Sequence, residues 1–409
     1  MRENYKKLGP YIREINIRNK DLTVERLLGV SIRKVLMPSI ANTTGTKMHT
    51  YKIIKKMQFA YGPVTSRNGD KISIALMEDF DEAIVSQAYT VFEVADKNEL
   101  DPEYLMMWFR RPEFDRYARY HSHGSARETF GWDDFCETEL PIPSIEKQRE
   151  IVAEYNTVQN RISLNEQLIQ KLEETAQTIY RRWFVEFEFP DKDGKPYKSS
   201  GGEMVWCEEL EKEVPLGWKN VHLSSIITIK DGTHDSPSPK EKGFPLVTST
   251  HLNTYDISLK DTYNISEESF IQTNKRSKVD KYDILFSMIG TVGLVNYVLY
   301  DKINFAIKNV GLFKTSEQKE IAEYILFYLK SDYMKIYLAS NPNGSTQNYV
   351  TLGFLRDMPI LLPMDKTILK FEETSKKVIE TIHLKTQENQ KLTELKELLL
   401  SRMTKIEKS

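Results

Sequence analysis

Two short stretches combine a glycine with hydrogen-bonding side chains, 220 residues apart: Gly124-Ser125-Ala126-Arg127 and Gly344-Ser345-Thr346-Gln347-Asn348. Glycine lets a backbone approach a ligand closely. Ser and Thr hydroxyls suit phosphates, Arg pairs bidentately with guanine, and Gln does so with adenine. A third stretch, Lys230-Asp231-Gly232-Thr233-His234-Asp235-Ser236-Pro237, is short and turn-forming, with Lys240 and Lys242 just beyond. The residues expected at DNA are therefore Ser125 and Arg127 in one stretch and Ser345, Thr346, Gln347 and Asn348 in its copy. Lys230, Thr233, His234, Ser236 and Lys240 make the third set. Lys34, Arg67 and Lys308 are further phosphate contacts. The alternative for each loop is an ordinary polar connection, and for each cation a solvated side chain.

Catalysis asks for constellations that this sequence does not spell out. It contains no Gly-x-x-x-x-Gly-Lys-Ser/Thr phosphate loop and no Gly-x-Gly-x-x-Gly after a strand. Asn341-Pro342-Asn343-Gly344 departs from the Asn/Asp-Pro-Pro-aromatic pattern of amino-methyltransferases. Pro190-Asp191 and Asp193-Gly194-Lys195 crowd one turn, whereas a nuclease needs its carboxylates separated to clamp metal ions. His121 and His123 lack further ligands nearby, and Cys136 and Cys207 have neither metal nor redox spacing. No catalytic residue, metal site or cofactor site is read in this chain.

The elements that must position these loops are two long helices. From Pro143 to Phe184, apolar residues recur at alternating steps of four and three: Ile151, Tyr155, Val158, Ile162, then Ile169, Leu172, Ala176, Ile179 and Trp183, with Asn165 on the missing rung. That is a heptad seam, which calls for a partner helix. A weaker copy lies 220 residues on: Phe371, Ser375, Val378, Ile382, Lys385, Asn389, Leu392, Lys396, Leu399 and Met403. Lys396 replaces Ala176, and Leu395 is expected to turn inward in its place. The offset also relates Tyr104 to Tyr324 and Pro143 to Pro363. An internal repeat of this length implies two globular modules, each followed by a helix.

Within the first module, short β-rich runs (Tyr11–Ile17, Tyr51–Tyr61, Ala83–Val94) precede a helical stretch, Pro102–Tyr120, that breaks at Pro112. In the second, strands Val221–Lys230, Phe244–Thr248, Asp283–Ser287, Gly293–Val298 and Phe305–Phe313 precede a helix over Glu320–Leu338. The expected fold class is α+β, with domains at 1–143 and 215–363. Long helices occupy 144–187 and 364–409, pairing as an antiparallel coiled coil, and 188–214 is a linker.

Lys and Arg number 57 against 59 Asp and Glu in 409 residues, so no global positive field points to nucleic acid. A DNA partner would be held by local patches or with help from another subunit. The polar N-terminus and short apolar runs predict a soluble, cytoplasmic protein.

Several stretches together resemble the specificity subunit of type I restriction–modification systems. They are Lys230-Asp231-Gly232-Thr233-His234, Asp283-Ile284-Leu285-Phe286-Ser287, Gly344-Ser345-Thr346-Gln347 leading to Pro359–Pro363, and Pro141-Ile142-Pro143 with Glu146-Lys147-Gln148. Trp183–Phe187 and the restart Val214-Pro215-Leu216-Gly217-Trp218 complete the set, and their order covers nearly the whole chain. The first module has no counterpart to Asp231-Gly232-Thr233-His234. The resemblance implies two target-recognition domains reading a split DNA target, with the helix pair as a ruler. It implies no catalysis by the chain itself. Two modification subunits would bring S-adenosylmethionine and methylate adenine, and two restriction subunits would bring ATP- and Mg-dependent translocation and cleavage. The alternatives are a structural coiled-coil adaptor, or a nuclease or methyltransferase with attached recognition domains.

Overall fold

The computed structural model describes residues 5–39, 47–66, 68–69, 71–124, 127–340, 349–363 and 366–405. The chain divides into two compact units: Met1–Ser163 with Lys391–Ser409, and Leu164–Gln390.

The first unit carries β1 (Tyr5–Lys7), β2 (Ile12–Ile15), β3 (Leu27–Val30), β4 (Leu36–Pro38), β5 (Lys52–Lys55), β6 (Phe59–Gly62), β7 (Ser73–Leu76), β8 (Glu82–Val85) and β9 (Thr90–Val94). Helices α1 (Pro102–Arg110), α2 (Pro112–Tyr120) and α3 (Trp132–Cys136) follow, then β10 (Glu139–Pro141) and the start of α4 (Ile145–Tyr180). The expected helix over Pro102–Tyr120 is two helices, each with a proline in its first turn, where the missing N–H costs nothing. Asp101 caps α1, its Oδ1 accepting from Glu103 N at 2.8 Å and Tyr104 N at 3.2 Å. One sheet runs β2-β9-β6-β7, all antiparallel, and a second runs β4-β3-β8-β5, in which β3 and β8 are parallel. Between sheet and helices lies an aromatic core in which Phe59 stacks on Phe92 at 4.7 Å and Tyr61 on Phe135 at 4.8 Å.

The second unit carries the remainder of α4, then β11 (Met204–Cys207), β12 (Lys212–Pro215), β13 (Lys219–His222), β14 (Ile229–Asp231), β15 (Phe244–Val247), β16 (Asn264–Ile265), α5 (Glu267–Ser277), β17 (Ile284–Ser287), β18 (Val295–Tyr297), β19 (Ala306–Ile307) and β20 (Val310–Phe313). It ends with α6 (Ala322–Leu329), α7 (Asp332–Ala339), α8 (Leu352–Arg356), β21 (Pro359–Leu362) and α9 (Thr367–Arg402), which continues into the first unit's segment. The main sheet runs β14-β20-β17-β18, all antiparallel. A second runs β16-β15-β19, with β15 and β19 parallel. The strand orders therefore repeat: β2, β9, β6 and β7 correspond to β14, β20, β17 and β18, and the parallel pair β3·β8 corresponds to β15·β19.

Several expectations change. The helix over 320–338 is broken at Ser331, whose hydroxyl caps α7 by accepting from Met334 N at 3.2 Å. Residues 188–214 are not a bare linker. They include one strand and most of the other in the β11–β12 hairpin, and Phe189 and Val214 are buried in the unit's core. Helix α5 was not expected, although its sequence carries the signals: Ser266 as cap, Glu267 and Glu268 in the first turn, Lys275 and Arg276 in the last.

Each unit contains one segment of each long helix, held there by packing and by polar bonds. In the first unit, Gln148 of α4 is fully buried. It accepts from Asp101 N at 2.8 Å and donates to Glu99 O at 2.9 Å and Pro143 O at 2.8 Å. Leu400 and Met403 join the same core as Val152 and Tyr155, so the end of the chain packs beside the start of α4. Leu395 does not turn inward; it is 42% exposed, and Lys396 instead donates to Gln159 Oε1 at 3.0 Å. The ammonium stays at the seam because a neutral amide receives it, so no apolar substitute is needed. In the second unit, Tyr180 and Trp183 pack on Phe371, and Asn165 Nδ2 donates to Asn389 Oδ1 at 2.9 Å. Within each unit the two helix segments are thus antiparallel. Among the described residues no helix is long and apolar enough to cross a membrane.

Candidate nucleic-acid interface

The loop after β14 is built around one buried carboxylate. Asp231 ends the strand at 3% exposure. Its Oδ1 receives the guanidinium of Arg276 from α5, and its Oδ2 lies 3.0 Å from His234 Nε2. His234 Nδ1 lies 2.9 Å from Asn309 Oδ1 in the β19–β20 turn, where Asn309 adopts a positive φ of 53°. Gly232 is required here by space: a Cβ would stand 2.5 Å from Ile307 O. Thr233 pairs its backbone with Lys308, its N–H donating to Ile307 O at 3.0 Å, and its Oγ1 accepts from Asp235 N at 3.1 Å. Lys308 Nζ donates to Ser236 Oγ. Beside the loop, a surface cleft of about 410 Å³ is lined by Thr233, Asp235, Ser236, Pro237, Gln272 and Arg276.

Thr233, His234, Ser236 and Lys308 are thus gathered in one place. Lys230 lies on β14 opposite Leu312, and the Lys240 backbone is fastened to Asn264, its N–H donating to Asn264 O at 2.8 Å. The gathered set offers hydroxyls, an imidazole and an ammonium, the groups that contact phosphate and base edges. Asp231, Arg276 and Asn309 form its brace, and sequence reasoning had not given them that role. Arg276 is bound to Asp231 through Nη2, while its side chain stays about half exposed on the cleft. The turn residues Gly232 and Asn309 were the signal that two backbone segments meet here.

In the first unit, Arg127 is exposed on a loop closed by reciprocal backbone bonds between His123 and Thr129, each 2.9 Å. Gly124 is needed in that closure: its φ is +133°, and a Cβ would fall 2.3 Å from Arg127 O. Thr65 N and Phe130 N tie the loop to the β6–β7 connection. Arg67, Ser125, Ser345, Thr346, Gln347 and Asn348 lie outside the described residues. Lys34 departs from the expected role. It is buried at positive φ, its Nζ 2.8 Å from Asp115 Oδ1 and donating also to Phe109 O. Burial lowers its pKa below the ordinary lysine value against the pull of Asp115, and its charge serves the interior rather than a phosphate.

The remaining sequence features have local explanations. Asp191 Oδ1 accepts from Asp193 N at 2.8 Å and Lys195 N at 2.9 Å, closing its own turn. The Asp283 of Asp283-Ile-Leu-Phe-Ser is fully buried, 2.6 Å from Lys314 Nζ, and also accepts from Asp280 N and Ser316 N. Desolvation pushes its pKa up while Lys314 opposes, and the Asp283 carboxylate is engaged within the fold. Among the described residues no group of three or more His, Cys, Asp or Glu side chains is placed to hold a metal ion.

Residues 31–174 and 215–394 match the family model for the type I restriction modification DNA specificity domain. The chain is 24% identical over 426 residues to the specificity subunit of the type I restriction enzyme HindI from Haemophilus influenzae, covering 90% of each. It is 23% identical over 319 residues to the MjaIX specificity subunit of Methanocaldococcus jannaschii, covering 76% of this chain and 70% of that one. The crystal structure of the S subunit of a type I restriction-modification system from M. genitalium shares the fold, with a TM-score of 0.57 at 13% identity over 98% of this chain and 95% of that one.

Proposed function

The chain belongs to the type I restriction–modification DNA specificity family, and on that premise we propose that it is the subunit that reads the DNA sequence for a methyltransferase–nuclease assembly. The observation that carries this reading is the duplication: two modules of one strand order, each fastened to the start of one long helix. Two such modules suit a split target, one half-site each. In this reading Arg127 and the Gly344–Asn348 segment serve opposite half-sites, and the loop from Lys230 to Ser236 serves the same half-site as the latter.

The chain supplies recognition and no chemical step. Adenine methylation falls to two modification subunits carrying S-adenosylmethionine, and translocation and cleavage to two restriction subunits using ATP and Mg. The even charge balance fits such a division, because much of the phosphate attraction then comes from the partners. The antiparallel helix segments fix the distance between half-sites. The test is a genome-wide map of methylated adenine in cells carrying the modification partner, with and without this chain. A two-part methylation motif present only with the chain is expected. Methylation that is unchanged by its removal would overturn the reading.

A further inference from the structure

Strand register identifies the first module's equivalent of the Asp231–Ser236 loop, which a constant offset conceals. Asp231 ends β14 paired with Gly311, and Ile15 ends β2 paired with Val91. Gly311 and Val91 are each the second residue of their strand and stand 220 residues apart. Ile15 and Asp231 stand 216 apart. At the constant offset Asp231 falls on Tyr11, ahead of β2, so loop is compared with turn and no likeness emerges. In the observed register Arg18 takes the place of His234 and Lys20 that of Ser236. Both loops then lead into the strand of a parallel pair, β3 on β8 and β15 on β19.

This loop is held as firmly as its counterpart, by different groups. Asn19 is 2% exposed; its Nδ2 donates to Val24 O at 2.8 Å and its Oδ1 accepts from Val24 N at 3.3 Å. The backbone is sewn to the β5 side by Asn19 N to Tyr51 O and Ile53 N to Ile17 O. Arg18 Nη1 donates to Thr50 O at 2.6 Å, which anchors one corner of the guanidinium beside the loop. Around this fork Lys20 is exposed, and Ile17 and Leu22 show 47% and 54% of their surface. Exposed apolar side chains beside an anchored guanidinium are the equipment for thymine methyls and for guanine O6 and N7.

Resting on the recognition role proposed above, we propose that the loop from Ile17 to Leu22 contacts DNA in the first module's half-site, with Arg18 reading a guanine. The test uses the full chain assembled with its modification partner, carrying Arg18→Ala or Arg18→Lys, with adenine-methylation maps and thermal unfolding as readouts. Arg18→Ala is expected to relax one base position in one half-site, discrimination falling roughly 5- to 150-fold, and to leave the other half-site intact. Arg18→Lys, which keeps the charge and the fold but lacks the fork, is expected to relax the same position while overall methylation persists. An unchanged motif in both variants overturns the assignment. So does an equal loss at all sites with a flatter salt dependence, the mark of a phosphate contact. His234→Ala, altering only the opposite half-site, separates the two levels: if it does so while Arg18 variants do not, the Arg18 assignment alone fails. If the unaltered chain directs no methylation, the recognition role fails and this assignment with it.

Discussion

Buried ionisable side chains in this protein hold surface loops and helix ends in place. Asp231 is out of water, and its stability there depends on Arg276 and His234. Arg276→Ala removes the stronger partner and is expected to cost about 1–3 kcal/mol, the penalty of an under-satisfied buried acceptor. Because the loop's position depends on the same contact, methylation at one half-site should weaken while the other is kept. Calorimetry and methylation mapping together check this. Glu372 does comparable work inside the second unit. Its carboxyl oxygens accept from Glu323 N at 3.2 Å and Tyr324 N at 2.7 Å, capping α6 from α9. Burial, followed by the neighbouring Glu323, raises its pKa to about 10. The folded protein then retains a proton that the unfolded chain gives up near the ordinary carboxylate value. Stability from this group is therefore complete in acid and is lost as pH rises towards 10, by at most about 1.4 kcal/mol per pH unit. Glu372→Gln imitates the protonated form and should flatten the decline of the unfolding midpoint between pH 6 and 9. A decline as steep as in the unaltered protein would show that Glu372 is ionised when folded.

At the scale of elements, the long helices show what the sequence makes legible. The rungs Tyr155, Val158, Ile162 and Ala176 are buried, because a 3.5-residue period can place a stripe inward only on a helix with a partner. The polar rungs are equally informative once their partners are seen: Asn165 meets Asn389, and buried Ser375 bonds back to Phe371 O at 2.8 Å. Which rung faces which was not legible, since a repeat offset relates equivalent residues, whereas an antiparallel pair brings together residues running in opposite directions. Short strands were blurred for a different reason. Tyr51–Tyr61 reads as one strand, but Met57 at φ 66° divides it into β5 and β6, a turn with no glycine or proline to announce it. The Arg18 loop escaped because the offset changes between neighbouring strands. The helix packing itself is tested at Ile382, fully buried in the core that also takes Ala176 and Phe371. Ile382→Ala is expected to cost about 2–5 kcal/mol through lost transfer energy and the cavity left behind. A change within about 0.5 kcal/mol in denaturant unfolding would mean that this stripe is not a packed interface.

At the scale of the whole molecule, the proposed spacer role of the helices is tested by lengthening them, and the antiparallel sense of their segments dictates where. An extension inserted at equivalent points of the repeat, after Ser163 and after His383, would put every rung between them out of register. In the second unit Asn165 faces Asn389, so the insertion that matches one after Ser163 belongs after Gln390. Seven residues keep the heptad seam, whereas four would introduce a stutter. At 1.5 Å per residue a heptad adds about 10 Å, close to three base-pair steps of about 3.4 Å. The doubly extended chain is expected to methylate the same two half-sites with their spacer lengthened by about three base pairs. A single insertion should instead disturb the seam and lower the unfolding temperature without giving a new defined spacer. Methylation maps of both variants decide the matter. If the double variant folds, assembles with its modification partner and still recognises the original spacing, the helices hold the modules together without measuring the distance between half-sites.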